Sequence, residues 1–236
     1  MKKAAYHKPA MLPYKVEDGL TPFLSPMSLD FLQNMRQVEL INNINRLTAG
    51  TEFEDKSLYD TIYEASQDPT QAALANNASQ SWNINFFLQS LTSTSQEPQS
   101  SVQRLIGEKF RGFDKFKSVF TENALSMFGN GWTWLVINES GNLSVMNTYS
   151  ATCPFTAVRF KAGTPARGIT YATMQRGQIN RFAAKLLPVL GISMWQEAFL
   201  PDYALDRAAY IDNFWKVVNW ELVEQRVMSS FGSKDH

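Results

Sequence analysis

Histidine is almost missing from this chain. Its 236 residues include two, His7 and His236, and both lie close to an end of the sequence, where order is weakest. The interior therefore lacks imidazole, the usual general base at neutral pH and a frequent ligand of transition metals. This scarcity excludes Ser/His and Cys/His nucleophilic pairs from the interior.

Cysteine and metal-binding loops are equally scarce. Cys153 is the only cysteine, which excludes an intramolecular disulfide and a thiolate metal cluster. We interpret it as a small buried apolar residue. The sequence also contains no Asp-x-Asp-x-Asp-Gly calcium loop and no glycine-rich loop that fits a nucleotide fingerprint.

Long apolar runs are absent too. No run approaches the roughly 20 residues that a membrane span requires, so we expect no membrane span. The basic stretch from Met1 to Lys8 lacks the apolar centre of a secretory signal and is short for a mitochondrial presequence. Whether a presequence has been removed stays open.

What the chain does contain is enough apolar material for a substantial core. Hydrophobic residues make up 44% of it, which suits one large domain or two small ones. It has 22 basic and 22 acidic side chains, so the net charge of the whole chain predicts neither nucleic-acid nor membrane binding.

Hydrophobic spacing and capping residues predict the elements of the first half. Apolar residues recur at helical spacing from Ser28 to Leu47. Ser57 can cap a short helix from Leu58 to Ala65, and Asp68-Pro69 marks the start of a second long helix that runs to Leu91. The polar stretch from Thr92 to Ser101 is the best candidate linker.

The second half predicts helices, then strands, then helix again. In chain order the elements are helices Val102 to Phe110 and Phe113 to Phe128, strands Trp132 to Ile137, Leu143 to Tyr149 and Leu186 to Trp195, and a final helix Arg207 to Met228. This order predicts an α+β fold. We expect an N-terminal helical hairpin domain at 1–97 and a C-terminal α/β domain at 98–236 with an antiparallel sheet of about three strands.

Several stretches then resemble one family, in the family's own order and across most of the chain. They are Leu12-Pro13-Tyr14, Gly50 to Leu58, Asn76 to Gln80, Trp82-Asn83, Phe86-Phe87, Phe128 to Leu135, Tyr210, Phe214-Trp215 and Val218 to Glu221. The chain resembles the iron/manganese superoxide dismutases, and their architecture agrees with the helical hairpin and α+β domain expected above.

The resemblance also implies where the metal ligands belong. Enzymes of this family hold iron or manganese with three histidines and one aspartate. The corresponding positions here are Leu32, Ile84, Ser193 and Glu197, the last two within a stretch that the family writes Asp-x-Trp-Glu-His-Ala-Tyr. We therefore predict no metal, no cofactor and no catalytic residue, and a chain that is not an enzyme.

Residues around that site have changed as well. The family's gateway histidine and tyrosine correspond to Arg36 and Leu40. Gln80 stays where the family often places a glutamine that bonds the solvent on the metal. We interpret it as a buried amide that bridges a helix and a strand.

A basic insertion distinguishes this chain from the family enzymes. It covers about 150–185 and contains six basic residues and no Asp or Glu. The rest of the chain, with 16 basic and 22 acidic side chains, therefore carries a net charge of −6. Three roles stay open: RNA contact, docking on an acidic protein surface, or neither. The predicted RNA- or partner-binding residues are Arg159, Lys161, Arg167, Arg176, Arg181 and Lys185.

Metal-free relatives of this family sit as a pair on the mitochondrial small ribosomal subunit, and the present sequence resembles them. The resemblance implies a structural ribosomal protein of the mitochondrial matrix, partnered by ribosomal proteins, by a superoxide dismutase-like paralogue and by ribosomal RNA. The expected dimer surface includes Trp195, Gln196 and Tyr203. Because Gln196 replaces a family glutamate that bridges the dimer, pairing with a paralogue is favoured over self-pairing.

Two alternatives remain. One is a free-standing pseudoenzyme that scaffolds or regulates a partner protein without RNA. The other is an enzyme with a new activity, for which a polar pocket near Gln80, Ser193 and Glu197 is expected.

Overall fold

The first long helix has three consecutive segments. The computed structural model describes residues 7–156 and 186–232. The helix begins with α1 (Pro26–Asp30), passes through one π-helical segment (Phe31–Arg36) and ends with α2 (Gln37–Thr48). Ser25 caps it, since its Oγ accepts the N–H of Ser28 at 3.2 Å. The predicted helix is confirmed, with its ends within two residues.

Two further helices complete the N-terminal part. The short α3 (Leu58–Ala65) is capped by the Ser57 side chain, and α4 (Ala72–Gln89) follows a 3₁₀ turn that Asp68 caps. Helices α2 and α4 pack against each other, and α3 packs on α4. The predicted helical hairpin is therefore confirmed.

The remaining elements form the sheet and the helices around it. They are α5 (Ser100–Phe110), α6 (Phe113–Ser126), β1 (Gly131–Ile137), β2 (Leu143–Tyr149), β3 (Leu187–Ser193), α7 (Gln196–Tyr203), α8 (Arg207–Phe214) and α9 (Trp220–Gly232). The strands pair antiparallel in the order β2-β1-β3. The α+β fold with a three-stranded antiparallel sheet is confirmed.

The final helix was predicted wrongly as one piece from Arg207 to Met228. The chain breaks between α8 and α9, because the backbone there pairs with the end of α4. The carbonyl of Val217 accepts the N–H of Thr92, and the N–H of Asn219 donates to the carbonyl of Ser90, both at 2.8 Å. The Asn219 side chain then caps α9.

One buried cluster joins both parts of the chain. It includes Leu29 and Ile84 from the first part and Trp132 and Trp134 from β1. Gly191 of β3 lies against the Trp134 ring, where a Cβ atom would come within 2.5 Å of it. The division into domains at 1–97 and 98–236 stays a prediction. Among the described residues, no helix is long and apolar enough to cross a membrane.

Candidate functional site

Leu32 and Ile84 form an apolar plug where the resemblance places two metal ligands. Leu32 belongs to the π-helical segment and Ile84 to α4, and they are 2% and 1% exposed. Both are members of the same hydrophobic cluster. Their hydrocarbon side chains fill this closely packed interior without adding a polar group that needs a hydrogen bond.

Ser193 is held by its neighbours at the end of β3. Its carbonyl accepts a hydrogen bond from the buried Tyr210 hydroxyl at 2.9 Å, and its Oγ accepts the N–H of Trp195 at 3.3 Å. Burial raises the pKa of the Tyr210 hydroxyl well above its ordinary value, so it stays a donor. The carbonyl and hydroxyl oxygens of Ser193 at the end of β3 therefore have hydrogen-bond donors within the chain.

Glu197, in the first turn of α7, pairs with Arg36. Arg36 Nε lies 3.3 Å from Glu197 Oε1, and its Nη1 lies 2.7 Å from Glu39 Oε2. Burial raises the pKa of the Glu197 carboxyl, and the Arg36 charge partly opposes this rise. The lone pairs of Glu197 are thus engaged by a guanidinium.

Gln80 connects α4 to the sheet. Its Oε1 accepts a hydrogen bond from Trp132 Nε1 at 3.3 Å, so this amide bridges a helix and a strand as predicted. The indole N–H fixes which end of the amide is oxygen. The other end, Nε2, is buried and has no hydrogen-bond partner among the described residues.

A cavity of about 250 Å³ opens beside these residues. Arg36, Leu40, Asn76, Gln80 and Trp195 line part of it. Its walls carry amide, indole and guanidinium donors. Throughout the described ranges, no group of three or more His, Cys, Asp or Glu side chains could hold a metal ion.

Sequence similarity assigns the family. Residues 98–165 and 164–226 match the family of iron/manganese superoxide dismutases, C-terminal domain. The chain is 32% identical to "Superoxide dismutase [Fe]" of Escherichia coli (strain K12) over 217 residues, which are 92% of this chain and 95% of that protein. The protein of the same name from Photobacterium leiognathi is 31% identical over 224 residues, 94% of this chain and 99% of its own. This chain belongs to the iron/manganese superoxide dismutase family.

A third relative extends the same pattern to a eukaryote. "Superoxide dismutase [Fe]" of Entamoeba histolytica is 32% identical over 216 residues, 92% of this chain and 96% of its own. The prediction that the chain is not an enzyme is contradicted by these relatives, since all are named as enzymes and are matched nearly end to end. That prediction followed from four ligand positions and from the scarcity of histidine, whereas the relationship rests on nearly the whole chain.

The donor set of this chain does not fit the iron that its family implies. Leu32 and Ile84 have no lone pair, and the only carboxylate at the four positions, Glu197, is held by Arg36. Iron and manganese sites in proteins require imidazole, carboxylate or thiolate ligands in sufficient number. These four residues therefore do not supply the ligands of an iron or manganese site.

The predicted partner-binding residues fall into two groups. All six in the insertion, Arg159, Lys161, Arg167, Arg176, Arg181 and Lys185, lie outside the described residues. On the expected dimer surface, Gln196 is exposed, and its N–H donates to Asn130 Oδ1 at 3.2 Å.

The other two residues of that surface are more enclosed. Trp195 is half-buried, and its indole nitrogen has no partner among the described residues. The Tyr203 hydroxyl lies 2.7 Å from the carbonyl oxygen of Phe23 and accepts a hydrogen bond from Asn213. Tyr203 is thus used inside the chain.

Sequence reasoning missed three features of the surface. Phe128 is 94% exposed and Leu205 is 85% exposed; Phe128 was predicted only as the end of a helix, and Leu205 was not singled out. Arg226 on α9 lies partly buried beside an aromatic groove. The signal available for Arg226 was its place among the apolar residues of a helix, where a charge is unexpected.

Proposed function

We propose that this chain is a structural component of the mitochondrial small ribosomal subunit, in the mitochondrial matrix. It pairs there with a second superoxide dismutase-like chain and contacts ribosomal proteins and ribosomal RNA. The observation that carries the proposal is the apolar plug of Leu32 and Ile84. The dismutase fold is kept while two positions that the resemblance assigns to ligands are filled with hydrocarbon.

An exposed apolar surface near α7 supports pairing. Arg207 donates to the carbonyl of Met127 at 3.1 Å, which brings the chain just before Phe128 next to the chain just after Leu205. Both apolar side chains face solvent. Gln196 is tied to the same region through Asn130. Exposed large apolar residues on a polar background mark interaction surfaces.

The acid-free insertion supports contact with an anionic partner. Its six basic side chains and the absence of Asp and Glu give it a charge of +6. Arginine and lysine neutralise RNA phosphates, and guanidinium planes stack on exposed bases. These residues lie outside the described part of the chain, so the support comes from composition alone.

Co-sedimentation tests the proposal. A tagged chain expressed at its natural level is expected to migrate with mitochondrial small subunits through a sucrose gradient, in salt that strips weakly bound proteins. Phe128→Asp combined with Leu205→Asp is expected to weaken the pairing, because charge would be buried against an apolar partner. Exposed Met11→Asp, at 91% exposure, is the matched control. A chain that stays at the top of the gradient would contradict the proposal.

A free-standing scaffold is the alternative, favoured by the same exposed surface. It predicts a stable complex with an active dismutase that survives ribonuclease treatment and does not sediment with ribosomal subunits. Dismutase activity is a second candidate, favoured by the names of the relatives. An assay of superoxide removal by the purified chain, with metal content measured on the same sample, decides it.

A further inference from the structure

A second cavity lies away from the family's metal positions. It is a groove of about 490 Å³ between α3, α4, the start of β3 and α9. Four aromatic rings line it, those of Tyr59, Trp82, Phe86 and Phe155, together with Arg226. We call it the Arg226 groove. Its size is within the range of pockets that bind small molecules.

The aromatic rings form a continuous wall. Tyr59 stacks on Phe155 with ring centroids 4.7 Å apart, and Phe155 meets Trp82 edge to face at 4.9 Å. Trp82 in turn stacks on Phe86 at 5.0 Å. Tyr59 is 41% exposed, so this wall offers ring surface to an incoming planar group.

Arg226 supplies a cation at the end of that wall. Its Cζ lies 3.7 Å from the Phe86 ring centroid. Nη1 donates to Ser90 Oγ at 2.6 Å and to the carbonyl of Val189 at 3.2 Å. Nε and Nη2 have no hydrogen-bond partner among the described residues. Two nitrogens of the guanidinium, with three N–H donors between them, are thus available to a ligand.

No carboxylate neutralises this guanidinium within the described residues, where the ion pairs involve other cations. Burial lowers the pKa of Arg226 to about 10, so the group is still charged at neutral pH but poorly solvated. Residues 1–6 and 157–185 contain no Asp or Glu, which leaves Asp235 as the one acidic side chain outside the described part. An anionic ligand from outside the chain would supply the negative charge that Arg226 lacks nearby.

We propose that the Arg226 groove binds a nucleotide, with a phosphate on the guanidinium of Arg226 and the base against the aromatic wall. Arginine binds phosphate through paired N–H donors, and bases stack on aromatic side chains. The nucleotide belongs either to a free mononucleotide or to an RNA strand. Only the second source rests on the proposed ribosomal function.

Stacking on the aromatic wall distinguishes a nucleotide from a ligand that carries only a carboxylate. Arg226 would bind a carboxylate of a peptide equally well, but the ring wall is matched to a planar base. The proposal therefore requires that both the charge and the rings contribute to binding.

Binding to the purified full chain tests the proposal. The probes are a short labelled single-stranded RNA, followed by fluorescence anisotropy, and adenosine monophosphate, followed by calorimetry. Arg226→Lys removes the planar fork and keeps the charge, and Tyr59→Leu removes an exposed ring. Each is expected to weaken RNA binding by about tenfold. Tyr63→Leu on the same helix and Arg104→Lys on α5 are the matched controls, expected to change affinity less than about twofold.

Salt dependence gives a second readout. Arg226→Met removes one phosphate contact, so the slope of log affinity against log salt is expected to fall by about 0.7 for a single strand. If the Arg226 variants unfold, Tyr59→Leu still decides the matter, because its side chain is partly exposed.

The outcomes are distinct. Binding of both probes with loss in the groove variants identifies a free nucleotide site, and binding of RNA alone with the same losses identifies an RNA site. RNA affinity equal in groove variants and wild type would overturn the proposal, as would a glutamate-rich peptide that binds through Arg226 while RNA does not. Failure of the ribosomal proposal is seen separately, in sedimentation.

Discussion

Replacing Ile84 by histidine puts the apolar plug to a direct test. The resemblance places a metal-binding histidine at this position, so Ile84→His restores the ligand type that the family uses. In this chain the new imidazole would be almost fully buried, at a position 1% exposed within an apolar cluster. It would bring two polar nitrogens without partners into that cluster.

The expected cost follows from burial. An unsatisfied buried polar group costs about 1–3 kcal/mol, and lost aliphatic packing adds to this, so we expect a total of about 2–4 kcal/mol. The cost is also expected to depend on pH. Burial holds the pKa of the new imidazole below its pKa in the unfolded chain, which is about 6.5. Below about pH 6.5 the unfolded state therefore binds a proton on this imidazole that the folded state does not bind. The deficit relative to wild type is therefore expected to grow by about 1.4 kcal/mol per pH unit as pH falls below about 6.5.

Urea unfolding of each variant on both sides of that pH measures the effect. Ile84→Val is the packing control, with a cost of about 0.5–1.5 kcal/mol that does not depend on pH. Met35→His, at a site 58% exposed on the same long helix as Leu32, is the control for an added histidine. If Ile84→His matches wild type in stability, or if its deficit is the same at both pH values, the interpretation as an apolar plug is wrong.

Three further predictions concern the same chain. After expression with added iron or manganese, elemental analysis is expected to find far less than one equivalent of either metal, because hydrocarbon occupies two ligand positions; a full equivalent would refute this. Cys153 is buried and its pKa is raised by burial, so a thiol reagent is expected to label it only on unfolding, and rapid native labelling would contradict its burial. Glu197→Gln is expected to gain stability relative to wild type as pH rises from about 4 to 7. Because the pKa of Glu197 is higher in the folded chain than in the unfolded chain, its charged form destabilises the wild type above the unfolded pKa. A gain in stability that shrank as pH rose would contradict this prediction.

The helices and strands were predictable because their signals are local. Ser57 and Asp68 begin helical segments through side-chain caps, and the structure places both as predicted. The hairpin of β1 and β2 follows from branched and aromatic residues on both sides of a polar turn. Such signals lie within a few residues of the element that they define.

The break between α8 and α9 was missed because its cause is distant in sequence. The apolar spacing of Tyr210, Phe214, Val217 and Val218 is compatible with one helix. Val217 and Val218 are instead pulled into backbone pairing with the end of α4, more than a hundred residues earlier. A tertiary contact of this kind overrides local propensity and leaves no periodic signal. The same holds for Arg226, whose aromatic surroundings come from α3, α4 and the loop after β2.

The replaced residues of the metal site are coupled to one another. Arg36 stands at the gateway position and Glu197 at the last ligand position that the resemblance implies, and the two now form an ion pair 3.3 Å long. Arg36 also pairs with Glu39, whereas Glu197 has Arg36 as its one ion-pair partner among the described residues, so loss of Arg36 would leave a partly buried carboxylate without a partner, which is costly. Together Arg36 and Glu197 form a contact that closes within the chain. Leu32, about one turn before Arg36, belongs to the buried hydrophobic cluster. The first long helix and α7 are therefore joined at this site by an ion pair within the chain, and a variant that removes Arg36 tests how much that contact contributes to stability.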